Sequence, residues 1–339
     1  DDLDGIEDWR DTVLDRLAAA APEGTVPPVI SDFRAVRDLE LVAENACGTA
    51  LRELAAPRLR AVTVDPVTVT AGERRHDVPS YTRWWLSSHP VLGGERPDRL
   101  RTVDAVLLRG LYDVAEVDAD LAALTGVLHD VEDVLADVDR ATDLLWRLAD
   151  WRRLVDLVLL REIYPRLATA LDGVDVDRPD WVRVGADRVV GCDHAVVVDL
   201  PYLLPLLDRA VVPAAGSDPT AVAELLDVSL GSDLVRVAAP TGGRRQAWSA
   251  MPGAVAAAAR CGAVVPGGQV AVHRGLEVGG VSVRWWPDGD VDHVDEPAGA
   301  GALGRALAWR LRRWELRAAC VEALRSPDDP LLSAEDSLR

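Results

Sequence analysis

Six histidines, four cysteines and a run of alternating aspartates are the residues of this chain whose side chains could move protons, act as nucleophiles or hold a metal ion. The histidines, His76, His89, His129, His194, His273 and His293, contain no H-x-x-x-H pair. A metal site or a Cys-His nucleophile would have to be assembled by the fold. Cys192-Asp193-His194 is the one local cluster of reactive types. Neighbours on a strand point to opposite faces, so it reads as a turn with a buried thiol. Asp288, Asp290 and Asp292 match the first half of a calcium loop, but the sixth position is His293 and the twelfth is Gly299. Their alternation puts all three on one face of a hairpin, which reads as a solvent-exposed edge.

Other catalytic signatures fail on context. There is no G-x-S-x-G, and without a single lysine no phosphate-binding P-loop can be built. Gly299-Ala300-Gly301-Ala302-Leu303-Gly304 fits G-x-G-x-x-G, yet Asp295-Glu296-Pro297 separate it from any strand and only a Pro-containing tail follows its helix. No second parallel strand can close a dinucleotide fold, so the segment reads as a helix start rich in small residues. No cofactor is expected in this chain, and an enzyme remains open only as a site gathered from distant residues.

The positioning elements are mixed. Ile6, Trp9, Val13, Leu14 and Leu17 predict a helix to Ala21, and Ser31-Asp32 would cap a second helix reaching about Ala55. Leu59 to Val69 predicts one or two short edge strands around Pro66. Helical periodicity dominates 117–171, where the acidic stretch from Asp130 to Asp143 reads as a solvated face. Beyond Asp172 the pattern changes to short strands, with helices at Pro201–Leu207 and Pro219–Leu226. Pro240-Thr241-Gly242-Gly243 predicts a connector, followed by strands near 269–273, 281–286 and 290–294 and one long helix from Gly301 to Arg325. The chain therefore reads as α+β: a mainly helical domain with a short β element (1–177), a small α/β unit (178–240), an α+β unit of antiparallel sheet and long terminal helix (241–325), and a flexible tail (326–339).

Composition narrows the function classes. At 339 residues there is room for two or three domains of roughly 100–200 residues each. The chain begins Asp1-Asp2-Leu3 without Met, which predicts a piece of a longer protein. No apolar run approaches the roughly 18 residues of a membrane span, and no signal peptide is read in these residues, though a fragment could have lost one. Cys47, Cys192, Cys261 and Cys320 lie far apart with no C-x-x-C, and read as reduced, partly buried thiols in a cytoplasmic protein. All 37 basic residues are arginine, but a net charge of −19 repels polyanions and makes nucleic acid a poor general partner.

What stands out instead is aromatic. Arg83-Trp84-Trp85-Leu86 predicts a short helix docked by aromatic anchors, ended by His89-Pro90 and Gly93-Gly94. In the terminal helix Leu303, Leu307, Leu311, Trp314, Ala318 and Val321 make a core stripe. Trp309 and Leu316 fall on nearly the opposite side among Arg305, Arg312 and Arg313. That second side either meets a partner, since aromatic and arginine side chains are enriched in interface hot spots, or is sandwiched under the Trp285-Trp286 strand. A local nucleic-acid contact through the three arginines is a further alternative.

Arg83-Trp84-Trp85-Leu86 with Gly94-Glu95-Arg96-Pro97, Val196-Val197-Val198-Asp199-Leu200-Pro201-Tyr202-Leu203-Leu204-Pro205-Leu206, and Val283-Arg284-Trp285-Trp286 with Ala306-Leu307-Ala308-Trp309 together resemble the C-terminal part of large actinobacterial proteins that carry a sacsin-type, Hsp90-like ATP-binding domain at the N-terminus. Glu40-Leu41-Val42-Ala43-Glu44-Asn45-Ala46 is loosely similar to the magnesium- and ATP-binding helix of Hsp90-like folds. Its spacing is one residue too long, the D-x-G-x-G companion is missing, and Glu40 and Asn45 read as ordinary helix residues. The resemblance implies a chaperone-like protein whose ATPase domain is not in this chain. This part would be a non-catalytic interaction or substrate-binding module, with a protein client and that ATPase domain as partners. Its expected partner-binding residues are Arg83, Trp84, Trp85, Trp285, Trp286, Trp309, Arg312 and Leu316.

Overall fold

A computed structural model describes residues 3–19, 29–30, 33–71 and 74–325. The chain packs as two compact units, Asp1–Val189 and Val190–Arg339, and the α+β class holds in both. The tail expected at 326–339 and the Ser31-Asp32 cap lie outside the described residues.

The first unit opens with α1 (Ile6–Ala19), whose Trp9, Val13 and Leu17 recur every four residues and are buried. A three-stranded antiparallel sheet follows: β1 (Val29–Ile30), β2 (Val67–Ala71) and β3 (Arg74–Val78). The expected helix to Ala55 is corrected. Residues 33–38 are irregular, Leu39–Leu41 is a 3₁₀ turn, and α2 spans only Glu44–Leu54. The predicted strand at Leu59 is also corrected: Pro57–Leu59 and α3 (Arg60–Thr63) are helical, and the strand begins only at Val67, after Pro66. Pro57 opens the 3₁₀ turn, a position where its missing N–H is no loss.

The Trp-Trp helix, α4 (Tyr81–Ser88), belongs to the core of this unit. Ser80 caps it, accepting from the Arg83 N–H at 3.2 Å and donating to the Thr63 carbonyl at 2.7 Å. The indole N–H of Trp85 donates to the Asp4 carboxylate at 3.1 Å, and the Tyr81 hydroxyl donates to the Asp4 carbonyl. The short strands β4 (Leu100–Arg101) and β5 (Asp113–Val114) then pair in parallel. Four helices close the unit: α5 (Ala119–Thr125), α6 (Val131–Leu135), α7 (Val138–Ala149) and α8 (Leu157–Ala170). Each begins at an aspartate, Asp118, Asp130, Asp137 or Asp156, whose carboxylate accepts from backbone N–H groups of the first turn. The stretch from Asp130 to Asp143 is thus partly structural. Asp130 and Asp133 form a reciprocal capping box, and Asp143 pairs with Arg147. Behind them β6 (Trp181–Arg183) carries Arg183, fully buried, its guanidinium donating to the carbonyls of Leu148, Ala186 and Asp150.

The division falls inside β7 (Val189–Gly191). In the second unit a small parallel sheet has β8 (Val196–Val197) between β9 (Ala210–Val211) and β10 (Ser229–Leu230). Its connections are the 3₁₀ helix Pro201–Leu206 and α9 (Pro219–Leu226), and the single turn α10 (Gly231–Leu234) follows its last strand. A four-stranded sheet follows in the order β11 (Arg244–Ala247), β12 (Gln269–His273), β16 (Val291–Asp295), β15 (Trp285–Asp288). Between them lies a hairpin of β13 (Glu277–Val278) and β14 (Val281–Ser282). The expected antiparallel sheet is therefore corrected to a mixed one, because β12 and β16 run parallel. A parallel pair needs a crossover, and residues 274–290 supply it with β13 to β15 in place of a helix.

One face of this sheet is covered by α11 (Ala254–Arg260), α12 (Gly299–Arg310) and α13 (Arg317–Arg325), around Trp248, Trp285, Leu307 and a group of buried alanines. The single long helix is corrected to a hairpin of α12 and α13. The chain reverses at Arg312, whose φ of 56° lies in the left-handed region, and Trp314–Leu316 forms a 3₁₀ turn. Gly304 makes the close crossing possible, since a Cβ there would sit 2.6 Å from the Cα of Val321. The last glycine of the G-x-G-x-x-G match therefore serves helix packing. No helix among the described residues is long and apolar enough to cross a membrane.

Candidate binding grooves

The residues expected at a partner surface divide between the two units. In the first, Trp85 is buried, and Arg83 and Trp84 are half-buried on the wall of a small cleft with Ser87, Gly126 and Arg140. In the second, adjacent Trp285 and Trp286 point to opposite faces of the edge strand β15. Trp285 enters the helix-covered core, and Trp286 packs with Leu203, Leu276 and Val283. Tyr202 reaches both, with ring centroids 5.7 Å from Trp285 and 4.9 Å from Trp286. Trp309 lies 5.6 Å from Tyr202 and 6.2 Å from both Trp285 and Trp314. Of the two readings of the terminal helix, the intramolecular sandwich is the one seen for Trp309, and Leu316 packs on the same core. Arg312 is exposed at the left-handed turn, Arg313 pairs with Glu315, and Arg305 bonds the Gly301 carbonyl.

Beside that turn lies an open groove of about 630 Å³ lined by Pro287, Asp292, Trp309, Arg310, Arg312 and Trp314. Asp292 corrects the exposed-edge expectation: it is fully buried, and one carboxylate oxygen accepts from the Trp248 indole N–H and the Arg310 Nε, both at 2.7 Å. Its other oxygen has no partner among the described residues. Burial pushes the Asp292 carboxyl above the usual range, against the opposing pull of Arg310 and Trp248. On the opposite face of β16, His293 is buried and its Nδ1 lies 2.8 Å from Nε2 of His273. This bond needs one ring to donate and the other to accept, so at least one imidazole must be neutral. Burial lowers both pKa values, and His273 lowers that of His293 further. Among the described residues no group of three or more His, Cys, Asp or Glu could hold a metal ion. Cys192–His194 is a 3₁₀ turn, as the sequence suggested, but the expected buried thiol is corrected to a half-buried one.

The larger groove belongs to the first unit and measures about 970 Å³. Its position follows from local structure. On α2, Glu44, Cys47, Gly48, Leu51 and Leu54 recur at helical spacing and share one face, of which only Leu51 is buried. The opposite wall is the end of α4, where the rings of Trp85 and His89 stack at 3.9 Å and the His89 Nδ1 bonds the Trp85 carbonyl at 2.7 Å. Leu39 and Val42 also line it. So does a tight turn, Leu92 to Glu95, in which Gly93 and Gly94 both take positive φ and the flanking residues exchange two backbone hydrogen bonds. The lining is largely apolar, with Leu39, Leu51, Leu54, Leu86, Leu92 and Leu121. Asp4, Glu40 and Glu44 put three carboxylates on it, and no arginine lines it among the described residues.

Sequence reasoning singled out Trp85 but missed this groove, because α2 and the Leu39–Leu41 turn were read as one helix. The face at 44, 47, 48, 51 and 54 was the available signal. The chain matches no known family model, no curated protein and no solved structure.

Proposed function

We propose that this chain is a non-catalytic binding module that holds a short amphipathic, cationic segment of a protein client in the groove between α2 and α4. The observation that carries the reading is the pairing of a leucine-rich lining with three carboxylates, with no arginine lining the groove among the described residues. Leucine-type side chains entering such a lining release water from apolar surface on both partners. Arginine or lysine of the client then meets Asp4, Glu40 and Glu44. A surplus of acidic residues, with a net charge of −19, favours the same class of occupant over any polyanion.

On the resemblance of the tryptophan-rich segments to sacsin-type proteins, the module works beside an Hsp90-like ATPase domain in the cytoplasm, and nucleotide-driven change in that domain regulates capture and release. Trp85 contributes to the groove directly. Arg312, exposed beside the smaller groove of the second unit, is the contact offered to a second partner surface.

The test is fluorescence anisotropy with a labelled helical peptide of alternating leucine and arginine faces. Gly48 is helical, and a Cβ there meets nothing within 4 Å. Gly48→Leu therefore fills the groove while adding helix propensity of up to about 1 kcal/mol. It is expected to weaken binding by more than about tenfold through the clash with the occupant, with the melting temperature unchanged or raised. Glu40→Gln with Glu44→Gln is expected to weaken binding about three- to tenfold at low salt and less at high salt. Equal affinity for the wild type and both variants would remove the groove from the account.

A further inference from the structure

We propose that Cys261 and Cys320 form an oxidation site, a buried dithiol that peroxide converts into an intramolecular disulfide tying the end of α11 to α13. The two residues are 59 positions apart, yet their sulfur atoms lie 3.2 Å from each other. Helix geometry brings them together. Cys261 caps α11, its N–H held by the carbonyls of the last turn, and Cys320 lies in α13 on the face turned toward α11. Both belong to one buried core, which holds Ala254, Ala257, Ala302 and Ala323 beside Trp248, Met251 and Leu307. The sulfurs need to close only the roughly 1 Å that separates this contact from a bond of about 2.05 Å. The other cysteines stand outside this arrangement. Cys47 is in the first unit, where its thiol donates to the Val91 carbonyl, and Cys192 is in the turn before β8.

Cys261 is 5 % exposed and Cys320 is fully buried, so Cys261 is the sulfur that meets the oxidant. Its thiolate attacks one oxygen of the peroxide, the O–O bond breaks, and the departing hydroxide takes up the one proton that Cys261 gave up and leaves as water. Cys320 then attacks the resulting sulfenic sulfur. The S–S bond forms, the S–O bond breaks, and a second water carries away the Cys320 proton. Two thiols lose two electrons and two protons, and one peroxide becomes two waters. Burial and the Cys261 contact push the Cys320 thiol up to about 12, which keeps Cys320 protonated and leaves the first attack to Cys261. The bond then ties α13 to the end of α11 within the helical layer.

The full chain is reduced, exposed to hydrogen peroxide, alkylated at its remaining free thiols and mapped by peptide mass spectrometry without reduction. The expected result is one cross-linked peptide pair joining Cys261 to Cys320, with Cys47 and Cys192 alkylated. The melting temperature is expected to rise by about 5 °C or more, reversibly with dithiothreitol, because the link closes a long loop of the unfolded chain. Cys261→Ala, a substitution suited to an alanine-lined site, should keep the reduced fold and lose both the cross-link and the thermal gain. Alkylation of both Cys261 and Cys320 after oxidation, or a cross-link through Cys47 or Cys192 in their place, overturns the proposal. So does a Cys261–Cys320 link that leaves the melting temperature unchanged.

Discussion

Arg310 and Asp292 form an ion pair of the second unit in which the carboxylate is fully buried and the arginine side chain is 14 % exposed. Such pairs are costly to break from one side. Arg310→Met should destabilise the unit by about 3–5 kcal/mol in chemical denaturation, and adding Asp292→Leu should recover much of the loss. The aspartate alternation at 288, 290 and 292 was visible in the sequence, but the pattern alone did not say which face was covered. Trp248 and Arg310 lie far away along the chain and decide it. The same distance hid the dithiol, since 59 intervening residues leave no local spacing to read. Arg312 carries a different strain, a side chain held at positive φ. Arg312→Gly should stabilise the unit by about 1 kcal/mol, measured as a raised denaturation midpoint.

The terminal helices show where periodicity misleads. Leu303, Leu307 and Leu311 continue in helical step into Trp314 and Val321, and no glycine or proline marks the break. Tertiary packing of α12 on α13 overrides that continuity through a left-handed arginine, and Gly304 is the residue that permits the contact. Gly304→Ala is expected to cost about 1–3 kcal/mol by forcing the helices apart, a loss seen in thermal melts. The parallel pairing of β12 and β16 was equally hidden, and it creates the His273–His293 contact. Both histidines have folded pKa values below the ordinary 6.5, so the unfolded chain binds more protons as the pH falls. Stability of the second unit is therefore full above pH 6.5 and is lost as the pH drops through 6.5 toward the folded values. Arg245 adds to the lowering of both rings, while Asp295 opposes it at His273 and Asp288 at His293. Denaturation midpoints from pH 7.5 to 5.5 should fall for the wild type and fall less for a His273→Gln, His293→Gln variant.

The α+β class and most helices of the first unit were readable from composition and periodicity, because apolar repeats are local signals, whereas the caps Asp130 and Asp137 lie in a stretch whose charge alone reads as a solvated face. Grooves are different: each wall comes from separate segments, and their chemistry exists only when those segments meet. Four of the expected anchors, Trp85, Trp285, Trp286 and Trp309, became core or near-core residues, since a tryptophan offers as much apolar area to its own chain as to a partner. The functional account rests on the first unit's groove receiving a cationic amphipathic segment. Hydrogen exchange of the full chain, with and without a saturating leucine–arginine peptide, examines that directly. Amides of α2 from Glu44 to Leu54 and of the Leu92–Glu95 turn are expected to slow roughly tenfold or more on binding, with the second unit unchanged. Binding that protects other segments while α2 exchanges at its free rate would contradict the account.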